Sequence, residues 1–515
     1  METGAEINLW SNLSLWRRKS QMSLPTRVRF FVGGAWREGQ GLETSLVYNP
    51  SFGTVIAEVP HADRSVVDEA VSSASEAFPA WAETPAVDRA QIFFRYKALL
   101  ESHFDDLVLL ISTENGKTQA EARGDMRRGI QMVEYATSVP SLLMGDVLQN
   151  VARGIDCEAV RYPLGVCVGI TPFNFPAMVP LWMFPLALAC GNAFILKPSE
   201  KVPLTAVRLT ELLAEAGLPP GVFQLLHGGR ETVDALLVHP MVEAISFVGS
   251  TPVAREIFLR GTSHGKRVQA AGGAKNFVLV MPDAAMDEAV RGLTEAAFGC
   301  AGERCMAGSM LLAVGDAGDR IVPGLVRAAE AIRVGPTCAN ASSQMGPVIT
   351  AAHLDRVENL ISQSETEGAR VAADGRGFVS AEAPQGFYLR PTILDHIAPG
   401  TTPLSEEIFG PVLSVLRMDD LDAAIALANA SPYGNGAAIF TKSGRAANEF
   451  KRRIQAGMVG INVGVPAAMA MFPFSGWGES FFGDLHMQGN EGVAFYTRQK
   501  VTTSRWFGEA DVWQR

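Results

Sequence analysis

The stretch Gly165-Val-Cys-Val-Gly-Ile170, which lies between Pro163 and Pro172, decides the fold. A short apolar, β-branched run of this kind predicts a strand that is buried on both faces. Further short apolar runs and helical patterns follow it alternately, with strands predicted at 193–196, 223–226 and 244–248 and helices at 205–216 and 233–239. Strands that alternate with crossover helices form a parallel sheet. Residues 160–273 are therefore predicted to form a nucleotide-binding α/β unit.

The same alternation resumes after Lys275 and predicts a second α/β domain. Strands are predicted at 277–281, 310–314 and 437–440, and a helix at 286–299. Upstream of the first unit, residues 66–128 show Ala-rich amphipathic patterns that are typical of helices. Near the end of the chain, residues 492–503 alternate apolar and polar side chains in part, which predicts one added strand.

Composition excludes several classes of function. The 515 residues carry a formal net charge of −10, whereas nucleic-acid binding needs Lys and Arg to neutralise phosphates. The longest apolar stretch, 175–196, is interrupted by Pro and Gly, so we expect no membrane span. Six cysteines without a C-x-x-C pair argue against a metal site and suit a reducing cytoplasm. We expect no signal peptide, and residues 1–21 are predicted to be a flexible extension.

Cys305 is the candidate nucleophile, within Phe298-Gly-Cys-Ala-Gly-Glu-Arg-Cys-Met-Ala-Gly-Ser309. Small neighbours would let a substrate carbonyl approach, and Arg304 supplies a nearby positive charge that favours a thiolate. The alternative is a buried structural cysteine, which is the common fate of thiols. Cys300 is the rival residue, but it follows a helical pattern and is expected to pack.

Two polar positions that follow predicted strands suggest a site at one sheet edge. Asn174 lies just beyond the strand at 165–170, where it can donate to an oxyanion or form an Asx turn before Pro176. Lys197 and Glu200 follow the strand at 193–196 and could bond ribose hydroxyls, with Glu200 repelling a 2′-phosphate. That arrangement would favour NAD over NADP, although no G-x-G-x-x-G fingerprint occurs and a helix-capping loop is the other interpretation.

The chain resembles the aldehyde dehydrogenase superfamily from about Phe31 to Trp506. Five motifs carry the resemblance in order: Thr171-Pro-Phe-Asn-Phe-Pro176, Leu196-Lys-Pro-Ser-Glu200, Ser246-Phe-Val-Gly-Ser-Thr251, Gly302-Glu-Arg-Cys305 and Glu406-Glu-Ile-Phe-Gly-Pro-Val412. The resemblance implies that Cys305 is the nucleophile and Asn174 an oxyanion donor. It also implies NAD as cofactor, held by Thr171, Phe173, Lys197, Glu200, Gly249, Ser250, Glu407 and Phe409.

Ala271 stands where hydrolytic members of the superfamily carry a glutamate that activates water. Its presence, with Gly273-Ala-Lys-Asn276 and Ser480-Phe-Phe-Gly-Asp-Leu-His486, resembles the methylmalonate-semialdehyde dehydrogenase branch. Members of that branch pass the acyl group to coenzyme A. Because a thiolate is a better nucleophile than unactivated water, this step needs no general base.

The resemblance also implies a carboxylated semialdehyde as substrate, its carboxylate held by Arg128 and Arg304. Exposed helix charge is the alternative for Arg128. Two other functions remain open: a hydrolytic aldehyde dehydrogenase in which Glu303 replaces the missing base, and a non-catalytic binding protein on the same scaffold.

The expected architecture is α/β, with a Rossmann-type NAD-binding domain, an α/β catalytic domain and a small β oligomerisation element. The NAD-binding domain is predicted at 22–139 and 164–273, the catalytic domain at 274–479, and the oligomerisation element at 140–163 and 480–509. The resemblance implies a homodimer or homotetramer, with the strand near 492–503 joining a neighbouring subunit.

Overall fold

The computed structural model describes residues 27–338, 340 and 342–505. The predicted extension at 1–21 lies outside these residues. Among them, strands and helices alternate as predicted in two units, each built on its own sheet.

Eight of the described strands form the first sheet, in the order β2-β1-β9-β8-β7-β10-β11-β21. The strands β9, β8, β7, β10 and β11 are parallel, whereas β1, β2 and β21 are antiparallel to their neighbours. The bounds of the strands are β1 Phe30–Val32, β2 Ala35–Arg37, β7 Val166–Ile170, β8 Ala193–Lys197, β9 Phe223–Leu225, β10 Val242–Val248, β11 Arg267–Ala271 and β21 Phe481–Phe482.

Helices cover both faces of this sheet, and each of the predicted strands and helices between 165 and 248 is confirmed. The bounds are α1 Arg64–Glu83, α2 Ala86–Ser102, α3 Phe104–Asn115, α4 Gln119–Thr137, α5 Val139–Leu142, α6 Met178–Ala189, α7 Pro203–Glu215, α8 Arg230–Val238 and α9 Thr251–Ser263. All five residues of β7 are buried, which explains its unbroken apolar sequence. Helix α6 is buried along its whole length between β7 and α4, so it shows no amphipathic pattern.

The second sheet has seven of the described strands, in the order β14-β15-β16-β13-β12-β18-β19, and only β14 is antiparallel. Its strands are β12 Phe277–Val280, β13 Met310–Val314, β14 Arg370–Ala373, β15 Thr392–Asp395, β16 Val412–Met418, β18 Gly436–Phe440 and β19 Met458–Ile461. Its helices are α10 Met286–Phe298, α11 Ala317–Ala331, α12 Ala351–Thr366, α13 Thr402–Ser405, α14 Leu421–Asn429 and α15 Gly444–Arg453. The predicted second α/β unit is thus confirmed.

A third sheet is three-stranded and antiparallel, with the strand order β22-β6-β5. It consists of β5 Asp146–Ala152, β6 Ile155–Pro163 and β22 Thr497–Arg505. The predicted strand at 492–503 is confirmed from Thr497 onward but is wrong for the preceding residues, since α16 spans Gly489–Phe495. That helix buries Val493 and Phe495, so their spacing of two did not signal a strand.

The remaining described strands form two small pairs. Strand β3 (Thr44–Asn49) pairs with β4 (Thr54–Pro60), and β17 (Tyr433–Gly434) pairs with β20 (Trp477–Gly478). No helix among the described residues is long and apolar enough to cross a membrane.

Candidate active site

Cys305 lies in an irregular segment between the short 3₁₀ turn Gly299–Gly302 and the start of β13. Cys300, Ala301 and Gly302 all have positive φ angles, of 52°, 51° and 70°. A side chain at Gly302 would place its Cβ 2.0 Å from the carbonyl oxygen of Gly410, so glycine is required there. This left-handed turn ends α10 abruptly, and the following segment leads into β13, a central strand of the second sheet.

The thiol of Cys305 has opposing influences on its ionisation. Burial raises its pKa to about 12, and the Glu407 carboxylate acts in the same direction. The backbone N–H groups of Cys305 and Met306 and the Arg304 guanidinium lower the pKa. At neutral pH the thiol is therefore mostly protonated, and it must lose its proton before it can act as a nucleophile.

The carbonyl group of Cys305 accepts hydrogen bonds from two buried amides. Asn276 Nδ2 lies 2.8 Å from this oxygen, and Asn435 Nδ2 lies 2.9 Å from it. Asn276 precedes β12 and Asn435 precedes β18, and these two strands are neighbours in the sheet. Asn276 was singled out in the sequence only as part of a motif, and no sequence signal pointed to Asn435.

Asn174 reaches the same segment from the first sheet, beyond the end of β7. Its side chain is buried, and Nδ2 donates to the carbonyl oxygen of Glu303 at 3.0 Å. An amide nitrogen carries two hydrogens, so the second is available to a substrate oxygen. The structure therefore brings together the loops of the two residues that were predicted to act on a carbonyl.

A buried ion pair supports the Asn174 loop, and sequence reasoning missed it. Lys117 Nζ donates to the Asn174 carbonyl oxygen at 2.7 Å and to Asp125 Oδ2 at 3.0 Å, and it lies 4.0 Å from the centre of the Phe175 ring. Asp125 Oδ1 accepts from the N–H of Met178. Burial raises the pKa of Asp125, while Lys117 lowers it.

A cavity of about 470 Å³ contains the thiol and both arginines that were predicted to hold a substrate carboxylate. Arg128 Nη1 donates to the carbonyl oxygen of Ala468 at 2.7 Å. Arg128 forms no ion pair with a carboxylate among the described residues. Arg304 Nη2 lies 3.8 Å from Glu121 Oε1, which also accepts from the N–H of Cys300. The apolar part of the wall comes from Met132, Phe175, Met178, Trp182, Val465, Ala470 and Phe474.

Glu121 also belongs to a capping box that begins α4. Its Oε2 accepts from the N–H and the hydroxyl of Thr118, whose Oγ1 accepts from the N–H of Glu121. The spacing Thr118-x-x-Glu121 is the sequence signal of such a box. The sequence therefore contained a signal for this helix start, although not for the contact with Arg304.

Glu303 is buried, and its carboxylate is directed away from the cavity that contains Cys305. Oε1 accepts from the N–H of Ile349 at 3.2 Å and lies 3.5 Å from His353 Nε2. Burial raises the pKa of Glu303 to about 8. Ala271, at the end of β11, is also buried and supplies no carboxylate.

The residues predicted to bind the cofactor surround the carboxyl ends of β7, β8 and β10. Thr171 and Phe173 follow β7, while Lys197 Nζ lies 2.9 Å from the Gly228 carbonyl oxygen and 3.7 Å from Glu200 Oε2. Gly249 and Ser250 precede α9, where Ser250 stands at the N-cap without a side-chain capping bond. The backbone N–H groups at such a helix start are suited to a phosphate.

Glu407 and Phe409 belong to the second unit but lie beside the proposed cofactor residues of the first unit. Glu407 Oε1 accepts from the N–H of Ala274 at 3.0 Å, and the rings of Phe409 and Phe173 meet edge to face at 5.9 Å. Arg356 donates to the carbonyl oxygens of Glu407 and Ile408 and thereby fixes this segment. Burial raises the pKa of Glu407, and Lys275 lowers it.

The loops that carry a thiol and an amide donor thus meet between two α/β units. The sequence model of the aldehyde dehydrogenase family matches residues 36–502. The chain therefore belongs to the aldehyde dehydrogenase family, and the predicted family and fold are confirmed.

The chain is 51% identical over 479 residues to malonate-semialdehyde dehydrogenase 1 of Geobacillus thermodenitrificans, covering 93% of this chain and 99% of the relative. The solved structure of methylmalonate-semialdehyde dehydrogenase from Oceanimonas doudoroffii superposes with a TM-score of 0.92 at 46% identity, over 94% of this chain and 99% of the other. A Sinorhizobium meliloti 1021 protein complexed with NAD also has a TM-score of 0.92, at 41% identity, over 95% and 99% of the two chains.

Proposed function

We propose that the protein oxidises a small carboxylated aldehyde, of the malonate or methylmalonate semialdehyde type, with NAD as cofactor. The observation that carries this proposal is the single cavity that contains Cys305, Arg128 and Arg304. A cavity that contains the Cys305 thiol and two guanidinium groups is suited to an aldehyde at one end and a carboxylate at the other. The names of the relatives at about half identity support the same substrate class.

In the proposed reaction, the Cys305 thiolate attacks the aldehyde carbon and forms a bond from sulfur to carbon. The free hydrogen of Asn174 Nδ2 and the N–H of Cys305 stabilise the negative charge on the oxygen. Collapse of this adduct expels a hydride and leaves a thioester on Cys305. Bound NAD would accept that hydride.

The residues present fit NAD in this role. The uncapped start of α9 at Ser250 is suited to the pyrophosphate, and Lys197 with Glu200 is suited to the adenosine ribose. Glu200 would disfavour a 2′-phosphate by charge repulsion, which favours NAD over NADP. The cofactor would lie between the two units. The other residues proposed to contact it there are Thr171, Phe173 and Gly249 from the first unit and Glu407 and Phe409 from the second.

Coenzyme A is proposed as the acyl acceptor. Its thiolate would attack the thioester carbon, so that an acyl thioester of coenzyme A leaves and the Cys305 thiol is restored. The bond between the α-carbon and the substrate carboxylate would break, releasing carbon dioxide, and the electron pair left on the α-carbon would take up a proton. Ala271 supports this choice, because the position that would hold a water-activating carboxylate has only a methyl group.

Hydrolysis with Glu303 as the base stays the alternative prediction. Glu303 is not among the residues that line the cavity, and its carboxylate accepts from the N–H of Ile349. A non-catalytic role on the same scaffold is the third prediction. The contact between the Asn174 side chain and the segment that carries Cys305 favours a catalytic role over a non-catalytic one.

The test is NADH production with malonate and methylmalonate semialdehydes and with uncharged aldehydes of equal length, each with and without coenzyme A. We expect the full rate only with coenzyme A, and we expect the carboxylated aldehydes to be preferred. Arg128→Met should weaken this preference by raising KM for the carboxylated aldehydes. A full rate without coenzyme A, with free acid as the product, would refute the acylating step. Glu303→Gln in that assay then shows whether Glu303 supplies the base.

The architecture supports the proposed division into an NAD-binding domain (22–139 and 164–273), a catalytic domain (274–479) and an oligomerisation element (140–163 and 480–509).

Apolar side chains on the three-stranded sheet, Val147, Leu148 and Val501, are largely exposed. We propose that this sheet contacts a second copy in a homodimer or homotetramer. A chain of 515 residues with only six cysteines and no C-x-x-C pair supports a cytoplasmic location.

A further inference from the structure

The peptide that follows Cys305 has an unusual set of contacts on both of its sides. Its carbonyl oxygen accepts from Asn276 Nδ2 at 2.8 Å and from Asn435 Nδ2 at 2.9 Å. A carbonyl oxygen has two lone pairs, so these amides use its full capacity as an acceptor. Because the peptide is planar and trans, its N–H, which belongs to Met306, points to the opposite side.

The two amides are themselves held in place by the second sheet. Asn276 is buried, its Nδ2 also donates to the Ala307 carbonyl oxygen at 2.9 Å, and its Oδ1 accepts from the N–H of Gly436 at 3.0 Å. Asn435 is buried as well, and its Nδ2 also lies 3.1 Å from Met306 Sδ. The orientation of the Cys305–Met306 peptide therefore depends on where β12 and β18 begin.

This orientation matters for the sulfur of Cys305. The backbone N–H groups of Cys305 and Met306, together with the Arg304 guanidinium, lower the pKa of its thiol, whereas burial and the Glu407 carboxylate raise it. Hydrogen bonds that follow one another through a peptide group strengthen each other, so donors on the carbonyl make the N–H a better donor. A peptide free to rotate would lose both the direction and the strength of the Met306 contact.

We propose that Asn276 and Asn435 are positioning residues that hold the Cys305–Met306 peptide with its N–H directed at the nucleophilic sulfur. The proposal rests on the proposed role of Cys305 as the nucleophile. Neither amide is required to touch the substrate. Their effect is to keep the attacking atom in one place and to favour its ionised form.

The test compares three substitutions. Asn435→Leu removes one donor and leaves the sheet contacts of Asn276 intact. Asn276→Asp removes the Nδ2 donor while retaining an oxygen for the N–H of Gly436. The matched control is Asn429→Leu, since Asn429 Nδ2 donates to the Arg453 carbonyl oxygen at 2.9 Å in the same unit and lies outside the cavity lining. Thermal unfolding shows that each variant is folded.

Two quantities are measured on each purified full-length variant: kcat with its KM values, and the rate at which iodoacetamide alkylates Cys305. The alkylation is followed at that cysteine by mass spectrometry of its peptide, at one pH below the thiol pKa. There the rate is proportional to the thiolate fraction, so a rise of one unit in pKa slows it about tenfold.

We expect Asn435→Leu and Asn276→Asp to slow alkylation about tenfold and to lower kcat by up to about 100-fold with little change in KM for NAD. The control should change neither quantity. Alkylation at the wild-type rate in both variants, whatever their kcat, would overturn the proposal, because a merely structural role would leave the thiol unaffected. Alkylation needs neither aldehyde nor coenzyme A, so this failure is distinguishable from failure of the proposed function.

Discussion

The two loops that meet at the site are supported in opposite ways. The Asn174 loop, beyond the first sheet, is held by the charged pair of Lys117 and Asp125, whose side chains are almost completely buried. The Cys305 loop, which precedes the central strand β13 of the second sheet, is held by the neutral amides of Asn276 and Asn435. Each loop nevertheless carries one group that would act on the same carbonyl.

The difference has a physical reason in the charge that each loop must accommodate. Beside Asn174, the Lys117 ammonium holds the Asn174 carbonyl oxygen, and Asp125 offsets the cost of burying that cation. Beside Cys305 the sulfur would carry the charge during attack, and the backbone N–H groups of Cys305 and Met306 lower the pKa of its thiol. Neutral amides can fix these N–H groups without adding a further buried charge that would need its own partner.

The largest expected effect is on the nucleophile side. Cys305→Ala should lower NADH formation by at least about 10,000-fold, the scale of loss when an enzyme's nucleophile is removed. NAD binding, followed by quenching of intrinsic fluorescence, should persist because the proposed cofactor residues are elsewhere. Cys300→Ala, at the second thiol of the same cavity, should retain far more activity. The reverse result would assign the nucleophile to Cys300.

The next effect is on the oxyanion side. Asn174→Ala should lower kcat by about 100- to 1,000-fold, as expected for loss of one oxyanion donor. KM for the aldehyde should change much less, since the interaction strengthens only as the oxygen becomes charged. Steady-state kinetics with and without saturating coenzyme A give both values. A rise in KM for the aldehyde by about 100- to 1,000-fold, without a fall in kcat, would show that Asn174 only binds the substrate.

A smaller loss should follow from breaking the charged support of that loop. Lys117→Met leaves Asp125 buried without its partner, which should cost about 3–5 kcal/mol of unfolding free energy. Removal of the Lys117 contact should also lower kcat, by up to about 100-fold, since it frees the Asn174 carbonyl.

The double variant Lys117→Met with Asp125→Leu separates stability from charge. It should recover most of the stability in urea unfolding, because no buried charge is left unpaired. Its kcat should stay low. Recovery of kcat together with stability would show that the two loops do not differ in their need for charge.

The smallest effect concerns a buried carboxyl next to the Cys305 loop. The pKa of Glu303 is raised from 4.5 to about 8, so the folded protein binds a proton there that the unfolded chain has released. Glu303 therefore contributes stability at low pH that is lost as the pH rises from about 4.5 to about 8. Glu303→Gln should remove this slope.

The measurement is urea unfolding of wild type and Glu303→Gln between pH 5 and pH 8.5, with a difference of at most a few kcal/mol, since one unit of pKa is about 1.4 kcal/mol. Glu114, whose pKa burial raises to about 7, keeps part of the slope in both proteins. Identical slopes for the two proteins would mean that Glu303 is ionised in the folded state. The carboxyl would then be better solvated than its contacts with Ile349 and His353 indicate.

Much of the fold was predictable because its signals are local. The apolar runs at β7, β8 and β10 predicted strands, since a strand buried on both faces needs apolar residues at every position. The tail shows the limit of this reasoning. Residues 492–495 belong to α16, where burial of Val493 and Phe495 depends on packing of this helix against α6.

The predicted site residues were found from motifs, but their supports were not. Asn276 and Asn435 are 29 and 130 residues away from the cysteine whose carbonyl they hold. Lys117 is 57 residues from Asn174, and nothing in its local sequence distinguishes it from an exposed lysine at a helix start. Contacts over such separations depend on strand order, which no local pattern encodes.

By itself, the sequence determined two α/β units and the absence of a carboxylate at position 271, and it predicted a nucleophile at Cys305 and an oxyanion donor at Asn174. These are properties of residue type and short-range order, because hydrophobic periodicity and motif spacing act within a few turns of chain. Only the tertiary structure decided what surrounds them. It placed Arg128 and Arg304 in one cavity with Cys305, directed Glu303 away from it, and set neutral amides against one loop and a buried ion pair against the other.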